Sequence, residues 1–220
     1  MLSQFVDIVT LSLQTSGFAL LFSTLIGVPV GAIIGLSRFF GRRLVAAILY
    51  TGMGFPPVVI GLFVYILLSR SGPLGTLDAP FIPDLFTPSA MILAQTIISF
   101  PLVAGFTMAA VMGVDPSLRI QLLSLGATKR QAALTVLAEA RLGVLVAIAA
   151  GFGSIISEVG AVMLVGGNIE GATRVMTTAI VLETRKGNFD LAIVLGGLLL
   201  LLTFFANLIM LRLQGTVFDE

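Results

Sequence analysis

Residues 113–141 read GVDPSLRIQLLSLGATKRQAALTVLAEAR and lie between two long apolar runs. Asp115 can cap a helix whose first residue is Pro116, because a carboxylate accepts the free amides of a first turn and proline has no amide to leave unpaired. Gly126 suits the left-handed conformation that ends a helix, and Thr128 with Gln131 has the spacing of a capping box that opens the next. A plain connector needs no pair of capped helices. The stretch reads as a docking element on the inner face of a membrane protein.

The rest of the composition places that element in lipid. Hydrophobic residues make up 57% of the 220, charged residues only 10%, and the mean hydropathy is +1.11, whereas soluble domains carry roughly a quarter charged residues. The length suits a single membrane domain over 1–220, without room for a sizeable soluble one. With no cysteine and no histidine, thiol nucleophiles, disulfides, thiolate metal sites and the usual neutral-pH base are all missing. A net charge of +1 with scattered basic residues gives no reason to expect nucleic acid.

Charges divide the chain into apolar runs at 8–37, 44–69, 86–114, 142–157 and 191–211. About 20 apolar residues span a bilayer as a helix, so four runs qualify directly. The fourth qualifies if it continues through Glu158 to Val165, at a cost near 3 kcal/mol for an acid at a helix centre, which places Glu158 off-centre or facing protein or water. The first run is too long for a signal peptide and has no basic segment before it. The reading is all-α and polytopic, with about five transmembrane helices.

An outside amino terminus puts Arg38, Arg42, Arg43, Arg119, Lys129, Arg130, Arg141 and Arg212 in the cytoplasm, with the carboxyl terminus there too, and leaves Arg70, Arg174, Arg185 and Lys186 outside. Basic residues favour the inner side, so this orientation is expected, with 166–188 as an external or re-entrant segment. The odd number of spans and the lack of an internal repeat argue against the two-halves design of many secondary carriers.

Ser23, Gly27, Gly31 and Gly35 recur every four residues and form a ridge against which another helix can pack closely. Pro29 is expected to kink the same helix. In the fourth run Gly143, Ala147, Ala150, Gly151, Ser154 and Glu158 form a stripe that grows more polar along its length. Two readings stand for its polar end: Ser154, Ser157 or Glu158 borders a water-accessible pathway, or Glu158 makes a structural hydrogen bond or an ion pair with Arg174. Next come Gly166, Gly167 and Asn168, then a short helix expected from Thr173 to Lys186 that ends at Gly187. Free amides at a helix start favour oxyanions, so Arg174, Thr177 and Thr178 complete the candidate anion path.

No Gly-x-x-x-x-Gly-Lys-Ser/Thr loop occurs, so any ATP and its magnesium must be held by another chain. Leu125-Gly126-Ala127, preceded by Val114-Asp115-Pro116-Ser117-Leu118, resembles the EAA loop of ABC importer permeases, although Ile120-Gln121-Leu122 replaces Glu-Ala-Ala and Glu139 stands where a proline often closes the motif. Ser157-Glu158-Val159-Gly160-Ala161, Val165-Gly166-Gly167-Asn168-Ile169, Thr177-Thr178-Ala179-Ile180 and Glu183-Thr184-Arg185-Lys186-Gly187 look like the tungstate permease group, with molybdate and sulfate permeases related. The resemblance implies a MetI-like fold in the prokaryotic cytoplasmic membrane and a homodimer surrounded by lipid. It also implies two copies of an ATP-binding subunit, seated on the loop as a coupling helix at Arg119, Leu122, Leu125, Gly126, Ala127, Thr128 and Gln131, and an extracytoplasmic solute-binding protein. A carrier working alone, or a membrane scaffold that only recruits a soluble protein, are the competing readings; an enzyme is the least favoured, because no convergent set of nucleophile, base and metal ligands can be assembled from these residues.

Overall fold

The computed structural model describes residues 2–77 and 79–213, which form ten helices. These are α1 (Leu2–Leu36), α2 (Arg42–Met53), α3 (Pro57–Leu68), α4 (Pro88–Gly113), α5 (Pro116–Ser124), α6 (Lys129–Glu139), α7 (Arg141–Ile156), α8 (Gly160–Gly166), α9 (Met176–Arg185) and α10 (Phe189–Leu213). α1, α4 and α10 are each long and apolar enough to cross a membrane, and counting the bent pairs α2 with α3 and α6 with α7 as single spans brings the total, by length and composition, to five.

α1 and α4 run parallel as the central pair, in a register set by the glycine ridge. Ser23 and Ser99 share a hydroxyl hydrogen bond of 3.0 Å. A Cβ on Gly27 would lie 3.0 Å from Val103 and one on Gly35 3.0 Å from Val111, while one on Gly31 would fall against the Ala104 carbonyl. Small residues here let the two backbones approach closely, which in lipid is a principal source of helix association. α7 packs antiparallel on the same face of α4: Gly143 meets Ala110, and Gly151 meets Ser99 and Val103. The small stripe on the fourth run is therefore a packing face over most of its length.

Two expected spans are broken. The run at 44–69 divides into α2 and α3 with a bend of 100°, because consecutive Pro56 and Pro57 have no amide to donate to the turn before them. The last turn of α2 closes tightly instead, Gly54 N–H donating to the Thr51 carbonyl (3.0 Å) and Phe55 N–H to Gly52 (3.4 Å). The fourth run does not continue through Glu158 either: α7 ends at Ile156 and α8 starts at Gly160. Ser157 Oγ donates to the Gly153 carbonyl at 2.8 Å, satisfying a terminal acceptor that a continued helix would have used. The second halves, α3 and α8, pack on each other where Gly61 meets Ala161 and Val58 meets Gly160. Pro29, by contrast, lies inside a helix that continues past it to Leu36.

At the end opposite α5, the chain from Gly167 to Val175 is a tight loop that packs under α4. Gly167 and Asn168 have φ of +72° and +53°, and Phe86 N–H donates to the Val165 carbonyl at 2.8 Å. α9 starts at Met176 rather than at Thr173, because Thr173 Oγ1 is held in the loop by the Gly166 carbonyl and the Ile169 amide. It ends as expected at Gly187 (φ +79°), where Asn188 N–H reaches the Glu183 carbonyl (2.9 Å) and Gly187 N–H reaches Thr184 (3.1 Å). α10 packs on α9 and α7 and leaves most of its apolar surface uncovered by the chain, as a lipid-facing span does.

Candidate functional site

The capped helix pair forms as its local chemistry requires. Asp115 Oδ1 accepts the Ser117 amide at 2.8 Å, and that hydrogen bond holds its carboxyl below the ordinary range. At the other end Gly126 has φ +89°. There the Ala127 amide reaches the Leu122 carbonyl (3.0 Å) and the Gly126 amide reaches Leu123 (3.1 Å), the paired bonds of a Schellman closure. The capping box is complete: Thr128 Oγ1 accepts the Gln131 amide at 3.2 Å and Gln131 Oε1 accepts the Thr128 amide at 2.8 Å. The two helices meet at an exposed corner made by Leu125, Gly126 and Thr128.

α5 has no buried residue. Its anchorage is one-sided: Leu118 packs beside Val111, Val136 and Ala140 in a small core under the ends of α1 and α4. Ile120, Leu123 and Leu125 stay exposed, Ile120 at 65% and Leu125 at 85%. A short helix capped at both ends and presenting apolar side chains to water has the form of a helix that lies in a partner's groove. Leu122 is half-buried, and Arg119 turns inward, its Nη1 donating to the Leu36 carbonyl at 2.7 Å.

The candidate pathway residues fall into separate surroundings. Ser154 lines a mainly apolar cleft of about 660 Å³ beside the Gly54-Phe55-Pro56-Pro57 break. Glu158 Oε1 accepts the Ala161 amide at 2.9 Å, its backbone carbonyl accepts Thr177 Oγ1 at 2.8 Å, and Ser157 is exposed beside it. Arg174 pairs not with Glu158 but with Glu170 at 3.2 Å. It lines an open cavity of about 850 Å³ shared with Gln4, Asp7, Glu183 and Lys186. The start of α9 is occupied from within: Ser12 Oγ accepts the Met176 amide at 2.8 Å, and Thr178 Oγ1 accepts the Val175 amide at 3.1 Å. Gly166, Gly167 and Asn168 turn the loop, with Asn168 Oδ1 buried and unpartnered among the described residues.

The chain hides further polar residues that the charge pattern did not single out. Gln95 is only 3% exposed, and its Nε2 donates to the Ile155 carbonyl (3.1 Å) at the end of α7 and approaches Ser16 Oγ (3.5 Å). Being uncharged, it escaped a reading that looked for charges; a long amide among apolar residues at membrane depth was the available signal. Arg42, counted in the sequence only as a cytoplasmic charge, has a further use: its Nε and Nη2 donate to the Ile34 and Gly35 carbonyls at 2.8 and 2.9 Å.

No family model matches the chain. Its fold is that of membrane subunits of ABC transporters: it is similar to a chain of the MetNI methionine ABC transporter in inward-facing conformations, with a TM-score of 0.80, 20% identity and coverage of 99% of this chain and 97% of that one. It is 44% identical over 211 residues to a probable anion ABC transporter permease protein of Haloferax volcanii, covering 94% of this chain and 89% of the relative. It is also 38% identical over 211 residues to the tungstate uptake system permease protein TupB of Peptoclostridium acidaminophilum, covering 96% and 90%. The chain belongs to the ABC transporter permease family. It is a multi-pass membrane protein.

Proposed function

We propose that the chain is the permease subunit of an ATP-driven importer for a tetrahedral oxyanion, tungstate in the first place, with molybdate and sulfate as the neighbouring choices. The observation that carries the reading is α5: a helix closed at both ends, with Ile120, Leu123 and Leu125 uncovered, on a chain without a phosphate loop. The similarity to a tungstate permease over almost the full chain supports the substrate. A separate subunit binds and hydrolyses ATP with its magnesium, and α5 receives its movement. Two copies of the chain line the path between them, an extracytoplasmic binding protein delivers the anion, and the amino terminus lies outside.

In this reading Ser154, Ser157, Gly166, Gly167, Asn168, Arg174, Thr177 and Thr178 border the path or hold its wall in place. Glu158 acts as a wall residue, because its carboxylate is used by the Ala161 amide, and an exposed anion there would repel the solute. Glu158→Gln keeps an acceptor oxygen, so uptake is expected to stay within about threefold of the parent, the scale of one weakened hydrogen bond. A change beyond tenfold in tungstate uptake by proteoliposomes would show that the charge itself matters. The reading as a whole is tested by reconstitution with and without the ATP-binding subunit and binding protein, with tungstate, molybdate and sulfate in competition. Uptake that requires ATP and both partners, with tungstate the strongest competitor, is the expected result; uptake without ATP would instead support a carrier working alone.

A further inference from the structure

The carboxyl end of α1 carries no glycine stop, yet its last four carbonyls are all satisfied. A helix leaves four terminal carbonyls without intrahelical donors, and cations near that end gain from the helix dipole. Here the Ile33 carbonyl takes the Ser37 amide (2.9 Å), Ile34 and Gly35 take Arg42, and Leu36 takes Arg119 Nη1 (2.7 Å). Arg42 opens α2, whereas Arg119 belongs to α5, so the last acceptor of α1 is supplied by the docking helix itself.

α1 is 35 residues long, or about 52 Å at 1.5 Å per residue. Its far end is also tied down: Ser12 Oγ accepts the Met176 amide at the start of α9, and Gln4 Nε2 donates to Glu170 in the preceding loop at 2.8 Å. Between these ends the glycine ridge seats it on α4. A single continuous helix thus connects the docking helix to the loop and helix start at the opposite face of the molecule.

We propose that Arg119 is a positioning residue that fastens the docking helix to the end of α1, so that displacement of α5 is carried along α1 to the 166–176 segment at the opposite surface. The proposal rests on the permease reading above, and it gives Arg119 a role distinct from contact with the ATP-binding subunit. A cap that served stability alone would give Arg119 no effect on coupling that Arg42 lacks, since Arg42 satisfies two carbonyls of the same helix end and Arg119 one.

The test therefore compares Arg119→Gln with Arg42→Gln in the complex reconstituted with its ATP-binding subunit and binding protein. Both are expected to lower the melting temperature. Only Arg119→Gln should reduce the ratio of tungstate-stimulated to unstimulated ATP hydrolysis, by about fivefold or more, the lower range of measured couplings between sites. Arg119→Lys, which keeps one donor and the charge, is expected to recover at least half of the ratio and carries the test if the glutamine variant does not assemble. A spin label on Val6→Cys, the only thiol in an otherwise cysteine-free chain, should show a nucleotide-dependent change in distance between the two copies that shrinks in the Arg119 variants. Equal ratios for the Arg119 and Arg42 variants, or an unaltered label response in the Arg119 variants, would overturn the proposal. If the parent chain itself shows no ATP-dependent uptake, the permease reading fails first and the proposal with it.

Discussion

Gly31→Leu is expected to leave almost no folded permease, while Gly17→Leu leaves the yield near that of the parent. A Cβ at position 31 would press on the Ala104 carbonyl and lie 2.9 Å from Thr107 Cβ and 3.0 Å from the Met108 amide, and two of those neighbours are backbone. Overpacking that side chains can relieve costs about 1–3 kcal/mol. Here α4 itself must move away, which also separates Ser23 from Ser99 and opens the contacts of Gly27 and Gly35. The loss is set against a total stability of only about 5–15 kcal/mol. At Gly17 the same atom meets nothing within 4 Å. The monodisperse yield after detergent extraction separates the two, with thermal unfolding of whatever is recovered as a second readout; similar yields and melting temperatures would show that the α1–α4 contact is not what holds the bundle.

Gly126→Pro is expected to abolish ATP-driven uptake, by at least about a hundredfold, while the chain still inserts and purifies. Proline confines φ to near −65°, and Gly126 sits at +89° with its amide bonded to the Leu123 carbonyl. The substitution destroys both bonds of the closure and swings α5 relative to α6, so the apolar face of Ile120, Leu123 and Leu125 is no longer held at the angle that the corner sets. A hundredfold loss corresponds to about 2.7 kcal/mol of misplaced docking energy, well within what a few buried anchor residues supply. The measurement is uptake per ATP hydrolysed in proteoliposomes, with circular dichroism to confirm an unchanged helix content. Uptake within threefold of the parent would remove the corner from the coupling route.

These two glycines differ in how far the sequence discloses them. The corner at Gly126 was legible because every interaction that makes it spans five residues or fewer: Asp115 to Ser117, Leu122 to Ala127, Thr128 to Gln131. The ridge through Gly31 was legible as a face, but its partner was not, since the period of a helix names a side and not the neighbour that covers it. The break within 44–69 is hidden when only charges are counted, whereas the charge of Glu158 ends the fourth run where α7 ends. Gly54-Phe55-Pro56-Pro57 is uncharged and so passes as apolar, although two residues without amides in succession are a stop on their own. At Glu158 the sequence leaves a pathway residue, a structural hydrogen bond and an ion pair with Arg174 open, and the structure shows the hydrogen bond, from the Ala161 amide three residues on. Thr173 was read as the first turn of a helix, but its hydroxyl bonds hold it in the preceding loop and delay the helix to Met176.

The amino-acid order alone determined that this chain lives in lipid, that its helices number about five across the membrane, and that one polar interruption folds into a capped pair suited to docking. These follow from transfer free energies and from hydrogen bonds between near neighbours, which need no knowledge of the rest of the molecule. Only the tertiary structure decided that α1 lies parallel to α4, that two spans break, and that the end of α1 is closed by Arg42 and Arg119. Arg119 lies 83 positions from the carbonyl it satisfies. An unpaired carbonyl accepts any donor that packing brings to it, and packing depends on how all the helices share one interior.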